Sequence, residues 1–136
     1  QPKADQTYKI VFTLTKAPKA PNKVNSALDH VARTVNIFVA AGVPLDHLKI
    51  VAVAAGPGTE LVLDNAHYKA KYGVDNPNLD LIKQLHDAGV NVSVCAQAMG
   101  EHHLKYSWRA KDVSLSLSAL STVITLQHEG YALEPM

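Results

Sequence analysis

Residues 48–55 read Leu-Lys-Ile-Val-Ala-Val-Ala-Ala, and this run decides the fold class. Seven of its eight residues are apolar, whereas a strand with one wet face would alternate apolar and polar residues. A short continuous apolar run is typical of a strand that is covered on both faces, and such strands occur in parallel sheets. The Gly56-Pro57-Gly58 turn that follows ends the strand.

Apolar and β-branched runs on both sides of this segment predict four more strands. The five predicted strands span residues 8–15, 48–55, 90–95, 113–117 and 131–133. The first ends at a loop that contains Pro18 and Pro21, which exclude both a ladder and a helix. Residues 90–95, Val-Asn-Val-Ser-Val-Cys, alternate strictly and predict the third strand.

The segments between the strands have helical spacing. A long first helix is predicted to start at a cap formed by Asn22 or Asn25 and to end at Gly42. Its apolar stripe is Val24, Ala27, Leu28, Val31, Val35, Phe38 and Val39. Further helices are predicted over residues 59–72, from Asn76-Pro77 to Gly89, irregularly over 96–108, and over 118–128 with a stripe of Leu120, Val123 and Ile124.

Strands that alternate with helices specify an α/β domain, in which right-handed crossovers place helices on both faces of a mostly parallel sheet of about five strands. Residues 1–6 are predicted to be a flexible leader and residues 7–136 a single domain, because a chain of 136 residues supports one core. In such sheets ligands bind beyond the carboxyl ends of the strands, near the point where the strand order reverses. The loops that begin at Thr15, Ala54, Cys95 and Leu117 are therefore the candidate site.

The composition of the chain excludes several classes of function. Thirteen Lys and Arg residues against twelve Asp and Glu give a net charge of +1, which offers no field for nucleic acid. Apolar runs reach only about eight residues, too short to span a membrane. The single cysteine excludes an internal disulfide and any multi-cysteine metal cluster. A start at Gln1 rather than Met indicates a cleaved leader or a trimmed chain.

Cys95 is the main candidate for chemistry. It closes a predicted strand and precedes a helical segment, so its thiol is expected near free backbone N–H groups and the positive end of a helix dipole. Both favour the thiolate, which is the form that attacks sulfur or carbon and the form needed to hold a persulfide. The alternative is that Cys95 is a small apolar residue of the core, which is common for a free cysteine.

The other candidates surround this tip. His102 and His103 lie within reach of it, and one of them can orient or protonate a group on the sulfur; the alternative is a solvated turn. Arg33 faces a site or an interface, or forms an ordinary ion pair with Asp29 four residues earlier. The remaining histidines are scattered, without the spacing of a helical zinc pair, so no metal site is predicted.

Two further segments contain candidate site residues in less specific patterns. Trp108 and Arg109 can wall an anionic pocket by pairing an aromatic face with a guanidinium, or Trp108 only seals the edge of the core. The Gly56-Pro57-Gly58-Thr59 turn lacks the glycine and lysine spacing of phosphate loops, and Pro57 removes an N–H group that a phosphate would need. We interpret this turn as a tight bend that shapes the pocket wall.

Three segments resemble the DsrE/DsrF/TusD sulfur-relay family. They are residues 90–98, Val-Asn-Val-Ser-Val-Cys-Ala-Gln-Ala, residues 115–120, Leu-Ser-Leu-Ser-Ala-Leu, and residues 126–133, Leu-Gln-His-Glu-Gly-Tyr-Ala-Leu. With the order of elements, the resemblance extends from about Tyr8 to Leu133. It implies a single-domain, flavodoxin-like, three-layer sandwich that needs no organic cofactor.

The resemblance also implies a function. Cys95 would accept sulfane sulfur as a persulfide and pass it to a partner, within a homotrimer or hexamer. Our own hypothesis adds Gln97 and His102 or His103 as hydrogen-bonding neighbours of the sulfur. Sulfur donors and acceptors would be proteins or small sulfane-sulfur compounds. The residues after Cys95 differ from the small or basic run of cytoplasmic relay members, which together with the Gln1 start favours a periplasmic protein. The alternative function is a non-catalytic oligomeric module that binds a small ligand or a metal ion.

Overall fold

The computed structural model describes residues 1–136 and contains five strands and five α-helices. The strands are β1 (Tyr8–Leu14), β2 (Leu48–Ala54), β3 (Asn91–Cys95), β4 (Ser114–Ser116) and β5 (Ala132–Pro135). The helices are α1 (Ser26–Ala40), α2 (Asn65–Tyr72), α3 (Leu79–Asp87), α4 (Ala96–Glu101) and α5 (Ala119–His128). Short 3-10 helices span Leu45–His47, Gly56–Val62 and Tyr106–Trp108. All five predicted strands are present.

The five strands form one sheet in the order β4-β3-β2-β1-β5, and every adjacent pair is parallel. The predicted three-layer α/β sandwich is therefore confirmed, although flavodoxin itself has the strand order 2-1-3-4-5. From β1 to β4 the chain moves in one direction across the sheet, and it then returns past β3, β2 and β1 to β5 at the other edge. Because right-handed crossovers in opposite directions lie on opposite faces, α5 is alone on its face.

The two faces of the sheet are packed differently. The hydrophobic core lies on the face covered by α1, α3 and α4, and it takes alternate residues of the strands, such as Ile10, Phe12 and Leu14 of β1. The opposite face contributes Val11 and Val53, which are fully buried outside that core. Only α5 covers this second face.

Helix α1 begins where one of the two proposed caps predicts. The Asn25 side chain accepts a hydrogen bond from the Ala27 N–H group, and Gly42 adopts a positive φ of 93° just beyond the helix. The predicted apolar stripe is too wide at both ends, since Val24 precedes the helix and both Val24 and Val39 are exposed. The buried stripe comprises Ala27, Leu28, Val31 and Val35.

The continuous helix predicted over residues 59–72 is wrong, because the chain forms a 3-10 helix, a break and then α2. At the break Leu63 is extended, with ψ near 147°, and forms an isolated bridge with Arg109. Asp64 then caps α2 by accepting a hydrogen bond from the His67 N–H group. The tertiary pairing of Leu63 with a distant loop overrides the helical propensity of the segment.

Buried asparagines tie the loops at the carboxyl edge of the sheet together. The Asn76 amide donates to the carbonyls of Leu61 and Leu63, at 2.9 and 2.6 Å. Asn78 accepts from the Asn25 N–H group at 2.7 Å and donates to the Asn76 side chain. Because buried amides without partners are costly, this network fixes the segment before α3 against the start of α1.

Helix α5 differs from the expectation of a buried apolar stripe. None of its residues is buried, and Leu120 and Ile124 are 76% and 52% exposed. No helix of the protein is both long enough and apolar enough to cross a membrane.

Candidate functional site

Cys95 is the last residue of β3, and its side chain lies on the sheet face that α5 covers. The residue is 6% exposed. Its Sγ atom accepts a hydrogen bond from the N–H group of Ala119, the first residue of α5, at 3.3 Å. The structure thus supplies the free backbone N–H group that the sequence predicts near the thiol, but it comes from α5 rather than from the helix that follows Cys95.

Cys95 lies where the strand order reverses. In the sheet it is the direct register neighbour of Ser116 of β4. The chain leaves β3 through α4, whose Met99 belongs to the main core, and it leaves β4 through α5 on the opposite face. Two adjacent parallel strands whose connections diverge in this way open a crevice at their carboxyl ends, which is the usual ligand site of α/β sheets.

A groove runs beside Cys95 between α5 and the sheet. Its volume is about 390 Å³, and it has no ionisable side chain in its wall. The lining comprises Val51, Asn91, Ser93, Ser114, Leu115, Ser116, Leu117, Ser121, Thr122, Thr125 and Leu126. Ser93 and Ser116 are on the same face as the thiol, two residues before it and beside it, respectively.

These hydroxyl residues were not among the candidates from sequence. Ser93 could have been identified from the sequence, because it is two residues from Cys95 and the period of a strand places both side chains on one face. Ser116 of β4 could not have been identified in this way, since its pairing with Cys95 depends on which strands are neighbours in the sheet.

Two of the predicted binding residues lie apart from the groove. Arg33 is on α1, on the opposite face of the sheet from Cys95, and its Nε atom forms an exposed ion pair with Asp29 at 3.1 Å. Gln97 is the second residue of α4 and is exposed. Of the two, only Gln97 is near the thiol along the chain.

Of the two predicted histidines, only His102 faces a second, smaller cavity. His102 ends α4 and lines a cavity of about 330 Å³ together with Leu63, His67, Ala70, Lys71, Leu104 and Trp108. His103 follows with a positive φ of 59°, an uncommon conformation for a residue with a side chain. His102 therefore belongs to this second cavity.

Trp108 and Arg109 do not combine into an anion pocket. The Trp108 ring stacks on the His67 ring, with centroids 4.2 Å apart and planes 14° from parallel. The Arg109 guanidinium donates to the carbonyls of Val113 and Tyr106, at 2.9 and 2.8 Å. Trp108 thus seals one edge of the fold, and Arg109 holds the loop before β4.

Sequence analysis also missed a buried carboxylate, Glu60, in the 3-10 helix after β2. The residue is 5% exposed, and its carboxylate is paired with the Lys71 ammonium and accepts a hydrogen bond from the Tyr72 hydroxyl at 2.6 Å. Burial alone would raise the pKa of Glu60, but the bonds from Lys71 and Tyr72 outweigh it and leave the pKa below its usual value. Burial and the Glu60 carboxylate raise the pKa of Tyr72 well above its usual range.

We expect Glu60 to make folding sensitive to acid. Because its pKa is lower in the folded protein than in the unfolded chain, the unfolded chain binds the proton first as the pH falls. The stabilisation is therefore complete at neutral pH and is lost as the pH decreases below the ordinary value of 4.5. Urea unfolding of the wild type from pH 7 to 3 should show this loss.

Glu60→Gln should remove the stabilisation that the ionised carboxylate provides, so the variant should be less stable than the wild type at pH 7. Between pH 5 and 3 the free energy of unfolding of the variant should fall less than that of the wild type. Glu101→Gln, at an exposed glutamate at the end of α4, is the matched control and should follow the wild type. Equal pH dependence in Glu60→Gln and the wild type would contradict a stabilising role of the ionised Glu60.

Potential metal ligands do not converge around the thiol. Nowhere does a group of three or more His, Cys, Asp or Glu side chains form that could hold a metal ion. The site offers one thiol with a backbone N–H donor, and next to them a groove with a wall of hydroxyls, one amide and apolar side chains.

The fold and the site define a three-layer α/β protein with one thiol at the switch point of an all-parallel sheet. The model of the DsrE/DsrF-like family matches residues 8–133, and the chain belongs to that family. The family resemblance inferred from the sequence is thereby confirmed. No curated protein matches the chain.

Two solved structures share the fold. A protein of unknown function from Methanobacterium thermoautotrophicum, MTH1491, is similar with a TM-score of 0.72 and 16% identity, over 95% of this chain and 99% of that one. The ychN protein from E. coli is similar with a TM-score of 0.68 and 12% identity, over 96% of this chain and all of that one. At these identities the likeness concerns the fold alone.

Proposed function

We propose that the protein is a sulfur carrier that accepts sulfane sulfur as a persulfide on Cys95 and passes it to a partner. The observation that carries this proposal is the Ala119 N–H group directed at Sγ where the strand order reverses. A thiol that served only as core filler would have no need of a polar donor or of a groove beside it. Membership of the DsrE/DsrF-like family supports the same function.

The reaction needs no cofactor. The Cys95 thiolate attacks a sulfane sulfur atom of the donor, the Sγ–S bond forms, and the donor's S–S bond breaks with its electron pair leaving on the donor fragment. The proton of the thiol goes to solvent or to the departing sulfide. A backbone N–H group stabilises the negative sulfur through a charge-assisted hydrogen bond. Gln97, near the thiol along the chain, is our candidate for a second donor.

The proposal is tested by intact mass on protein exposed to polysulfide without reductant. We expect a mass gain of one sulfur, about 32 Da, or of a small multiple of it, that dithiothreitol reverses and that cyanide removes as thiocyanate. The absence of any adduct, together with a thiol that resists alkylation until the protein is unfolded, would overturn the proposal. A non-catalytic ligand-binding module would then be the better interpretation.

We also propose that the carrier is a homo-oligomer, a trimer or hexamer, that assembles through α5. Residues 113–127 contain no ionisable side chain, yet Leu117 and Leu120 at this surface are largely exposed. Exposed apolar surface without charges is typical of an interface. Because the surface has no charge, two copies can meet there without burying an unpaired ion.

We expect Leu120→Glu to dissociate the oligomer, since it places a charge at the centre of the apolar surface of α5. Sedimentation velocity should show a trimer or hexamer for the wild type and a monomer for this variant. Ile37→Glu, at an exposed apolar residue of α1, is the control and should assemble normally. A monomeric wild type, or a Leu120→Glu variant that assembles as the wild type does, would contradict this interface.

A further inference from the structure

We propose that the groove beside Cys95 holds a chain of sulfane sulfur atoms, so that the loaded form carries a polysulfide rather than a single persulfide sulfur. This inference rests on the proposed sulfur-carrier function and specifies its substrate class. It depends on three properties of the groove, which are its size, a free hydroxyl group in its wall and the absence of charge.

The groove is larger than a persulfide requires. Its volume is about 390 Å³. One water molecule occupies about 30 Å³, and a sulfur atom is of similar size, so a single added sulfur would leave most of the space empty. The groove continues from Ser116, the register neighbour of Cys95, along β3 and β4 as far as Asn91 and Ser114. Cys95 is not itself part of the lining, but its two neighbours on the same face, Ser93 and Ser116, are. We infer that a chain bound to Sγ extends past these two residues into the groove.

Ser93 is the second observation. The residue is 5% exposed, lies two positions before Cys95 on the same face of β3, and lines the groove. Its hydroxyl has no partner within the protein, whereas the neighbouring Ser116 hydroxyl is bonded to Thr122 Oγ1 at 2.6 Å. Because it lines the groove and has no partner in the protein, the Ser93 hydroxyl is available to a ligand there.

The lining selects the kind of sulfur compound. A sulfur oxyanion such as thiosulfate is a dianion with hard oxygen atoms that are usually paired with Arg or Lys, and the groove has neither. A sulfur chain is soft and weakly hydrated along its length, with charge only at its end. Apolar walls from Val51 and Leu126, together with the hydroxyls, match such a chain.

The loading step balances with a polysulfide dianion as the donor. The Cys95 thiolate attacks an internal sulfur atom, which forms the Sγ–S bond and breaks one S–S bond. The shorter polysulfide leaves with the electron pair of the broken bond, and the remaining sulfur atoms stay on Cys95 as a chain with a terminal negative charge. No additional oxidant or reductant is required.

The test is the mass distribution of the protein after exposure to sodium tetrasulfide without reductant. We expect wild-type species with two or more added sulfur atoms, at about 64 Da and above. Thr125→Trp fills the groove from the exposed side of α5 and should restrict loading to one sulfur atom. Gln127→Trp places the same bulk on α5 outside the groove and should load as the wild type does.

A milder variant supports the same test. Ser93→Ala removes only the free hydroxyl, and it should reduce the species with two or more sulfur atoms about tenfold, the effect of one hydrogen bond to a charged group. Far-UV circular dichroism and thermal melting establish that each variant is folded.

The outcomes separate the two proposals. A wild type that gains only one sulfur atom, or a Thr125→Trp variant with the same distribution as the wild type, would overturn the sulfur-chain inference and leave the persulfide function standing. No sulfur on the wild type at all would overturn the proposed function itself. A multiple-sulfur distribution that Thr125→Trp loses and Gln127→Trp keeps would support the inference.

Discussion

Cys95→Ser is expected to abolish sulfur loading completely while leaving the fold close to the wild type. The thiol is the only one in the chain, and a serine hydroxyl at the same position is not a nucleophile without an adjacent base. The Ala119 N–H group retains an acceptor, because the serine oxygen occupies nearly the place of Sγ. We therefore expect the loss to be confined to chemistry.

The measurement is intact mass after polysulfide exposure, beside thermal unfolding of the same samples. Cys95→Ala is the companion variant, since it also removes the acceptor of the Ala119 N–H group and should melt below Cys95→Ser. Sulfur that stays bound to Cys95→Ser through denaturation would show a covalent site elsewhere. Such a result would contradict the assignment of Cys95.

Gly58→Ala is expected to be strongly destabilising. A Cβ atom at this position would lie 2.3 Å from the Leu14 carbonyl oxygen and 2.9 Å from its carbon. The same carbonyl accepts the hydrogen bond of Ala55, so the backbone that must move joins the ends of β1 and β2. We expect a loss of about 3 kcal/mol, which for a domain of this size lowers Tm by roughly 10 °C.

Gly100→Ala is the matched control, because a Cβ atom at Gly100 meets nothing within 4 Å and the residue is in helix α4. Alanine there should be neutral or slightly stabilising, by about 0.5–1 kcal/mol, since it restricts the unfolded chain. Urea unfolding of both variants measures the difference. Equal stability of Gly58→Ala and the wild type would show that the turn after β2 relaxes without cost.

The turn at Gly58 shows which part of a local structure can be predicted from the sequence. Its glycines and proline indicate a tight bend on chemical grounds alone. The reason for Gly58 is the close passage of β1, a strand 44 residues earlier in the chain at Leu14. Local composition therefore predicts the bend, but it does not predict the contact between Gly58 and β1.

For helix α5, the position of the helix could be predicted from the sequence, but the exposure of its apolar residues could not. Its residues have helical spacing, and the helix forms where the sequence predicts it, with Ser118 as its cap. The sequence does not say that the apolar residues Leu120 and Ile124 point away from the sheet. That orientation follows from the long return of the chain across a face that has no other helix.

The site was predicted in part for a related reason. Cys95 could be singled out because a strand end is a local feature that the sequence displays. His102, Trp108 and Arg109 follow it closely in the chain, but the structure commits them to a second cavity and to a loop. Closeness in sequence after a strand does not fix the direction in which side chains point.

By itself the sequence determined the class of fold, the number of strands, two candidate caps for α1 and the single cysteine at a strand end. These properties depend on periodicity, turn residues and composition, which act over a few positions. Only the tertiary structure decided that Cys95 lies beside Ser116 and receives its hydrogen bond from Ala119. Strand order and long crossovers set those contacts, because they join residues that are 21 and 24 positions apart in the chain.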